Sequence, residues 1–125
     1  VTGVSRVIVT GSREWPDRAA VEHALGAAFK AFRPIVVITG GCPTGADRMA
    51  EEWARRAGVE VEVWPADWRA HGRAAGPIRN AAMVAAGARI CLAFPLPGGR
   101  SRGTEGCIAL AEAAGIPVRR FEAEQ

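Results

Sequence analysis

The sequence predicts an α/β fold, a doubly wound sandwich built on a five-stranded, mainly parallel sheet in the order 3-2-1-4-5. Short β-branched runs alternate with stretches of helical apolar period along the chain, which is the pattern of repeated βαβ units. The run 35–39 is apolar on both faces, as a strand covered by helices on either side must be. Gly-rich turns follow the strands, where the chain turns into a covering helix. Right-handed crossovers and the doubly wound arrangement then select the strand order.

Residues 6–10 are a β-branched run ending at Gly11 and read as the first strand. Pro16 and Asp17 open a helix in which Val21, Ala24, Leu25, Ala28, Phe29 and Phe32 recur at i, i+3, i+4 and i+7. Pro34 ends it, and the second strand is 35–39. A second helix over 45–57 carries Ala46, Met49, Ala50, Trp53, Ala54 and Ala57 on one stripe, with Gly58 as its stop. Residues 59–64 form a third strand with partial alternation. The connection 65–76 is long and polar, a length associated with lids and binding loops. Pro77 sits in the first turn of a helix reaching residue 86. The fourth strand is 89–94, a further helix is 103–114, and a short last strand is 117–121. No repeat, linker or low-complexity tail intervenes, so residues 1–125 are expected to form one domain.

A chain of 125 residues can bury a core without disulfide or metal support. Hydrophobic residues at 49% and charged residues at 23% argue against disorder. No apolar run approaches the ~18 residues of a membrane span, and no basic-then-apolar leader opens the chain. A cytoplasmic domain without a membrane partner is expected. Cys42, Cys91 and Cys107 form no C-x-x-C pair, and His23 and His71 stand far apart. Neither a metal nor another cofactor is expected.

The net charge of +3 conceals an uneven distribution. Lys30 is the only lysine, so the other fifteen cations are arginines. Residues 67–104 hold Arg69, Arg73, Arg79, Arg89, Arg100 and Arg102 against one acid, Asp67. A GC-rich coding sequence accounts for arginine over lysine, but not for the clustering. The planar guanidinium fork suits phosphate and carboxylate, so this segment favours an anionic partner.

Three turns, GSREW (11–15), GGCPTGAD (40–47) and PGGRSRGTEG (97–106), follow strands one, two and four. Those strands are contiguous in the predicted sheet, so the turns converge on the crevice outside the strand carboxyl ends. Gly11 closes the first strand, and Ser12 and Arg13 offer a donor and a cation. Gly40 and Gly41 permit close approach of backbone to ligand, and Gly45 opens a helix whose free N–H groups suit a phosphate. Gly98, Gly99 and Gly103 do the same at a later helix, where Thr104 adds a hydroxyl. The expected partner is a small phosphate-bearing ligand. No G-x-G-x-x-G follows the first strand, and Ala46-Asp47 stands where a P-loop carries Lys-Ser/Thr.

Plainer roles compete for several of these residues. Thr44 and Asp47 have the spacing of a capping box. Cys107 falls on a buried stripe with Leu110, Ala111 and Ala114. Trp15, Trp53 and Trp64 are expected in or against the core. Trp68, in the polar connection, is the tryptophan expected to stack on a base.

The segments VIVTGSREW, VITGGCPTGADRMAEEWA, PADWRAHGRAAGPIRNAAM and PGGRSRGTEG resemble, in that order, the YspA/YpsA-related branch of the SLOG superfamily. The resemblance runs from Val7 to about Phe121. It implies a Rossmann-like, nucleotide-binding, SLOG-like domain whose ligand is a nucleotide, an NAD- or ADP-ribose-like derivative, or nucleic acid, and a homo-oligomer. More distant relatives, the Lonely Guy or lysine-decarboxylase-like phosphoribohydrolases, cleave the N-glycosidic bond of nucleoside 5′-monophosphates. They use an R-K-A-x-M helix and a P-G-G-x-G-T-x-x-E turn.

Residues 79–83 match the first motif with Asn80 in place of Lys, and residues 97–104 match the second, lengthened by two. Cys107 stands at the position of the catalytic Glu. The nearest carboxylate, Glu105, points roughly 200° around the helix from it. By this resemblance Arg79 and Arg13 pair with phosphate, and Gly41, Gly45, Gly99, Gly103 and Thr104 cradle it. Arg79 with Asp47 or Glu105 forms the candidate catalytic set. Three readings follow: a nucleotide-ligand site with or without glycosidic hydrolysis, a non-catalytic sensor of such a ligand, and a single-stranded nucleic-acid binder. A single lysine and the lack of aromatic-basic interleaving weigh against the last.

Overall fold

Strand β1 (Ser5–Gly11) is the centre of a sheet ordered β3-β2-β1-β4-β5, with β2 Ile35–Thr39, β3 Glu60–Val63, β4 Ile90–Phe94 and β5 Val118–Arg120. The computed structural model describes residues 3–123, so the expected domain limits at positions 1 and 125 lie outside the described residues. All four pairings are parallel, where the sequence led us to expect a mainly parallel sheet. Val7 is in register with Val37 on one side and Ile90 on the other.

The two-residue period of a strand divides the core into two layers. Val7 and Val9 face helices α1 (Arg18–Phe32) and α2 (Gly45–Ala57), packing with Leu25, Val37, Leu92, Phe94 and Trp15. The Trp15 ring meets Phe94 edge-on at 5.3 Å between centroids. Ile8 and Ile38 face the opposite way, into a layer with Met83, Val84, Cys91 and Cys107. That layer is closed by α4 (Ala75–Ala85) and α5 (Arg102–Ala113). The chain therefore leaves β1 toward one face and β4 toward the other, which opens a crevice between their carboxyl ends.

Local signals account for most element ends. The Asp17 carboxylate accepts from the Ala20 N–H and starts α1, and Gly58 in the left-handed conformation stops α2. Two expectations need correction. Thr44 occupies the N-cap position of α2 but makes no side-chain cap. Its hydroxyl donates to the Arg13 carbonyl at 2.8 Å and Asp47 accepts from the Cys42 N–H, so no capping box forms. The polar connection after β3 is also not an extended loop. Asp67 caps a short helix α3 (Trp68–His71), and a 3₁₀ turn over Gly72–Ala74 leads into α4. Among the described residues no helix is long and apolar enough to cross a membrane.

Candidate functional site

The three turns meet. The Ser12 N–H donates to the Phe94 carbonyl, tying the β1 turn to the end of β4. The Ser12 carbonyl accepts from the Ala46 N–H at 3.3 Å, tying the same turn to α2. Between them lies a cavity of about 620 Å³ at the carboxyl end of the sheet, within the usual range for small-molecule sites. Gly11, Ser12, Arg13, Gly40, Asp47, Arg79, Asn80, Gly103 and Thr104 line it, as do Trp68, Met83 and Ser101.

Other residues expected at the ligand lie outside this lining. Gly45 (φ +71°) does not line the cavity. A Cβ there would run into the Ser12 carbonyl, so this glycine serves close packing of two backbones. The Ala46 N–H is taken by Ser12 and the acid Asp47 occupies the first turn, which leaves the start of α2 poorly suited to a phosphate. Gly41, Thr44, Gly98 and Gly99 also lie outside the lining. Glu105 is directed away, its carboxylate bonded to Arg120 at 2.8 and 3.0 Å, and that pairing holds it below the ordinary carboxylate range. Cys107 is fully buried, a free thiol beside the Cys91 thiol and the Thr10 hydroxyl. The neighbouring Cys107 thiol, with burial, pushes the Cys91 thiol up.

Asp47 is the buried carboxylate of the cavity, 7% exposed. Burial pushes its carboxyl up to about 6; the Cys42 N–H and the Arg79 charge oppose the rise, and the Glu51 charge adds to it. Arg79 reaches across from α4. Its Nη1 donates to the carbonyls of Gly40 (2.7 Å) and Trp64 (3.1 Å), and its Nε to Asn80 (2.7 Å). Its Nη2 makes no hydrogen bond among the described residues. Asn80 in turn donates to the Gly103 carbonyl. The α5 N-cap residue, Ser101, makes no side-chain cap, which leaves the first-turn amides of that helix without one.

Fourteen of the fifteen arginines sort by environment; the other, Arg69, is exposed and outside the cavity lining. Arg6, Arg18, Arg48, Arg55, Arg56 and Arg120 are paired with carboxylates. Arg33, Arg89 and Arg119 lie over phenylalanine rings. Arg13, Arg73, Arg79, Arg100 and Arg102 all line the cavity, and among the described residues none of these five is in an ion pair. Arg73, Arg100 and Arg102 were not individually expected there. Their signal was the charge excess over 67–104, which names no side-chain direction. Among the described residues no group of three or more His, Cys, Asp or Glu side chains is arranged to hold a metal.

Comparison with known proteins bears on the fold and the family. The family model described as "YspA, cpYpsA-related SLOG family" matches residues 5–71. The gene 61 protein of Mycobacterium phage D29 is 47% identical over 121 residues, covering 93% of this chain and 95% of that protein. Two solved structures share the fold. The molybdenum cofactor binding protein from Rippkaea orientalis has a TM-score of 0.71 and 19% identity, over 99% of this chain and 80% of that one. The Moco carrier protein from Chlamydomonas reinhardtii has a TM-score of 0.63 and 16% identity, over 98% of this chain and 78% of that one.

Proposed function

Because the chain belongs to the YspA, cpYpsA-related SLOG family, we propose that its cavity binds a small phosphate-bearing, nucleotide-like ligand. The observation that carries this reading is the set of five arginines without carboxylate partners around one crevice. Five guanidinium groups gathered against two carboxylates, Glu14 and Asp47, cost free energy in the empty protein, and a phosphate returns it through charge-assisted, often bidentate hydrogen bonds. The uncapped first turn of α5 adds amides and a favourable dipole on the same side.

Binding without turnover stands first, because Cys107 faces the core and Glu105 faces Arg120. Hydrolysis of an N-glycosidic bond is a second reading, favoured by Asp47. A buried carboxylate that titrates near 6 is suited to take a proton from an attacking water. In that reaction the water oxygen bonds to C1′ while the C1′–N bond breaks. Its electron pair leaves with the base, which takes its proton from solvent.

Isothermal titration with nucleoside monophosphates, ADP-ribose, ribose 5-phosphate and the molybdenum cofactor tests binding, and chromatography of the products tests turnover. At least one probe should bind, and each of Arg100→Ala and Arg102→Ala should weaken it about tenfold. A panel without a binder, or a binder indifferent to both substitutions, refutes the proposal.

A further inference from the structure

The fold treats Trp68 differently from the other three tryptophans. Trp15 is 2% exposed, and its indole N–H donates to the Asp17 carbonyl at 2.8 Å. Trp64 is half-buried and donates to Glu62 at 2.7 Å. Trp53 packs against the α1/α2 layer. Trp68 is 57% exposed, belongs to neither core layer, and its indole N–H has no hydrogen-bond partner among the described residues. An indole buries large apolar area when it can, so a solvent-facing one is a departure from what the rest of this chain does.

The exposure is held in place by local structure. Asp67 accepts from the Ala70 N–H at 3.0 Å and caps the turn that carries Trp68. Gly72 (φ +54°) then redirects the chain into the 3₁₀ turn and α4. The ring comes to rest against the first turn of α4, with Cη2 3.6 Å from where a Cβ on Gly76 would stand. It lines the same cavity as the five unpaired arginines. A flat, electron-rich surface with a free donor, beside a cluster of guanidinium groups, matches a heterocycle joined to a phosphate.

We infer that Trp68 is a specificity-determining residue that stacks on the heterocyclic ring of the ligand whose phosphate the arginines hold. The inference rests on the phosphate-ligand reading and adds the requirement for a ring.

The test compares AMP, GMP, CMP and UMP with ribose 5-phosphate on the native chain, Trp68→Leu and Trp68→Phe. Affinity is measured by titration calorimetry and stacking by tryptophan fluorescence, with circular dichroism to verify the fold. On the native chain the best nucleotide should bind about tenfold or more tighter than ribose 5-phosphate, and it should quench fluorescence. Trp68→Leu should erase that preference while ribose 5-phosphate affinity stays within about twofold. Trp68→Phe should retain most of the preference and lose the quenching. Ribose 5-phosphate binding with no gain from any base overturns this inference alone, as does a Trp68→Leu chain that keeps the preference. If none of these five probes binds the native chain, this inference fails, and the phosphate reading fails with it when ADP-ribose and the molybdenum cofactor also go unbound.

Discussion

Replacing Asp47 by Asn should make the protein more stable at neutral pH and less so in relative terms as the pH falls. The carboxyl is 7% exposed, and burial raises it from 3.8 to about 6. A native-state pKa above the unfolded one means that, between these values, the folded chain holds a proton that the unfolded chain has released. Stability therefore declines as pH climbs from about 4 to about 6 and remains reduced above that window. A gap from 3.8 to about 6 corresponds to roughly 3 kcal/mol, a large share of the ~5–15 kcal/mol typical of a domain. Asparagine keeps the shape and an acceptor for the Cys42 N–H but carries no charge to desolvate. An amide donor left without a partner subtracts from the gain, so we expect roughly 1–3 kcal/mol at pH 7.5, shrinking toward zero near pH 4. Urea unfolding followed by circular dichroism at pH 4, 5, 6 and 7.5, on both chains, measures the difference directly. A difference that does not change with pH, or an Asn chain less stable at pH 7.5, would refute the reasoning. If the site turns over its ligand, the same substitution removes the proton acceptor, and base release should fall as stability rises.

Three further substitutions separate fold from site. Gly45→Ala sets a Cβ against the Ser12 carbonyl and 2.7 Å from the Arg13 Cα at φ +71°. Backbone on both sides cannot yield, so urea unfolding should register a loss of roughly 3 kcal/mol or more. Gly40→Ala instead meets the flexible end of Arg79, at 2.5 Å from Nη1. The guanidinium should swing off the Gly40 carbonyl, weakening ligand binding about tenfold with little change in the urea midpoint. Glu105→Gln breaks a half-exposed pair with Arg120, worth about 0–1 kcal/mol; calorimetry should find ligand affinity unchanged, and a large loss would return Glu105 to the site.

The architecture was legible because its causes are local or general. Alternation across Val7, Ile8 and Val9 assigns the two faces of β1, Pro34 and Gly58 end helices, and crossover handedness orders the strands. The meeting of the three turns followed from that order alone. Which side chains enter the crevice was not legible, because direction within a turn is decided by contacts from distant parts of the chain. Gly45 is spent on the backbone of Ser12 and Arg13, and Thr44 on the Arg13 carbonyl. Arg79 is aimed by the carbonyls of Gly40 and Trp64, and Glu105 is drawn away by Arg120 on the neighbouring strand β5.

The cluster of arginines noted in the sequence acquired its meaning in the same way. Composition established an excess of positive charge over one segment, since counting charges needs no geometry. Only the folded chain separated arginines with carboxylate or aromatic partners from the five around the cavity. Pairing depends on distance in space, and turn and helix residues far apart in sequence come within reach only when the sheet closes.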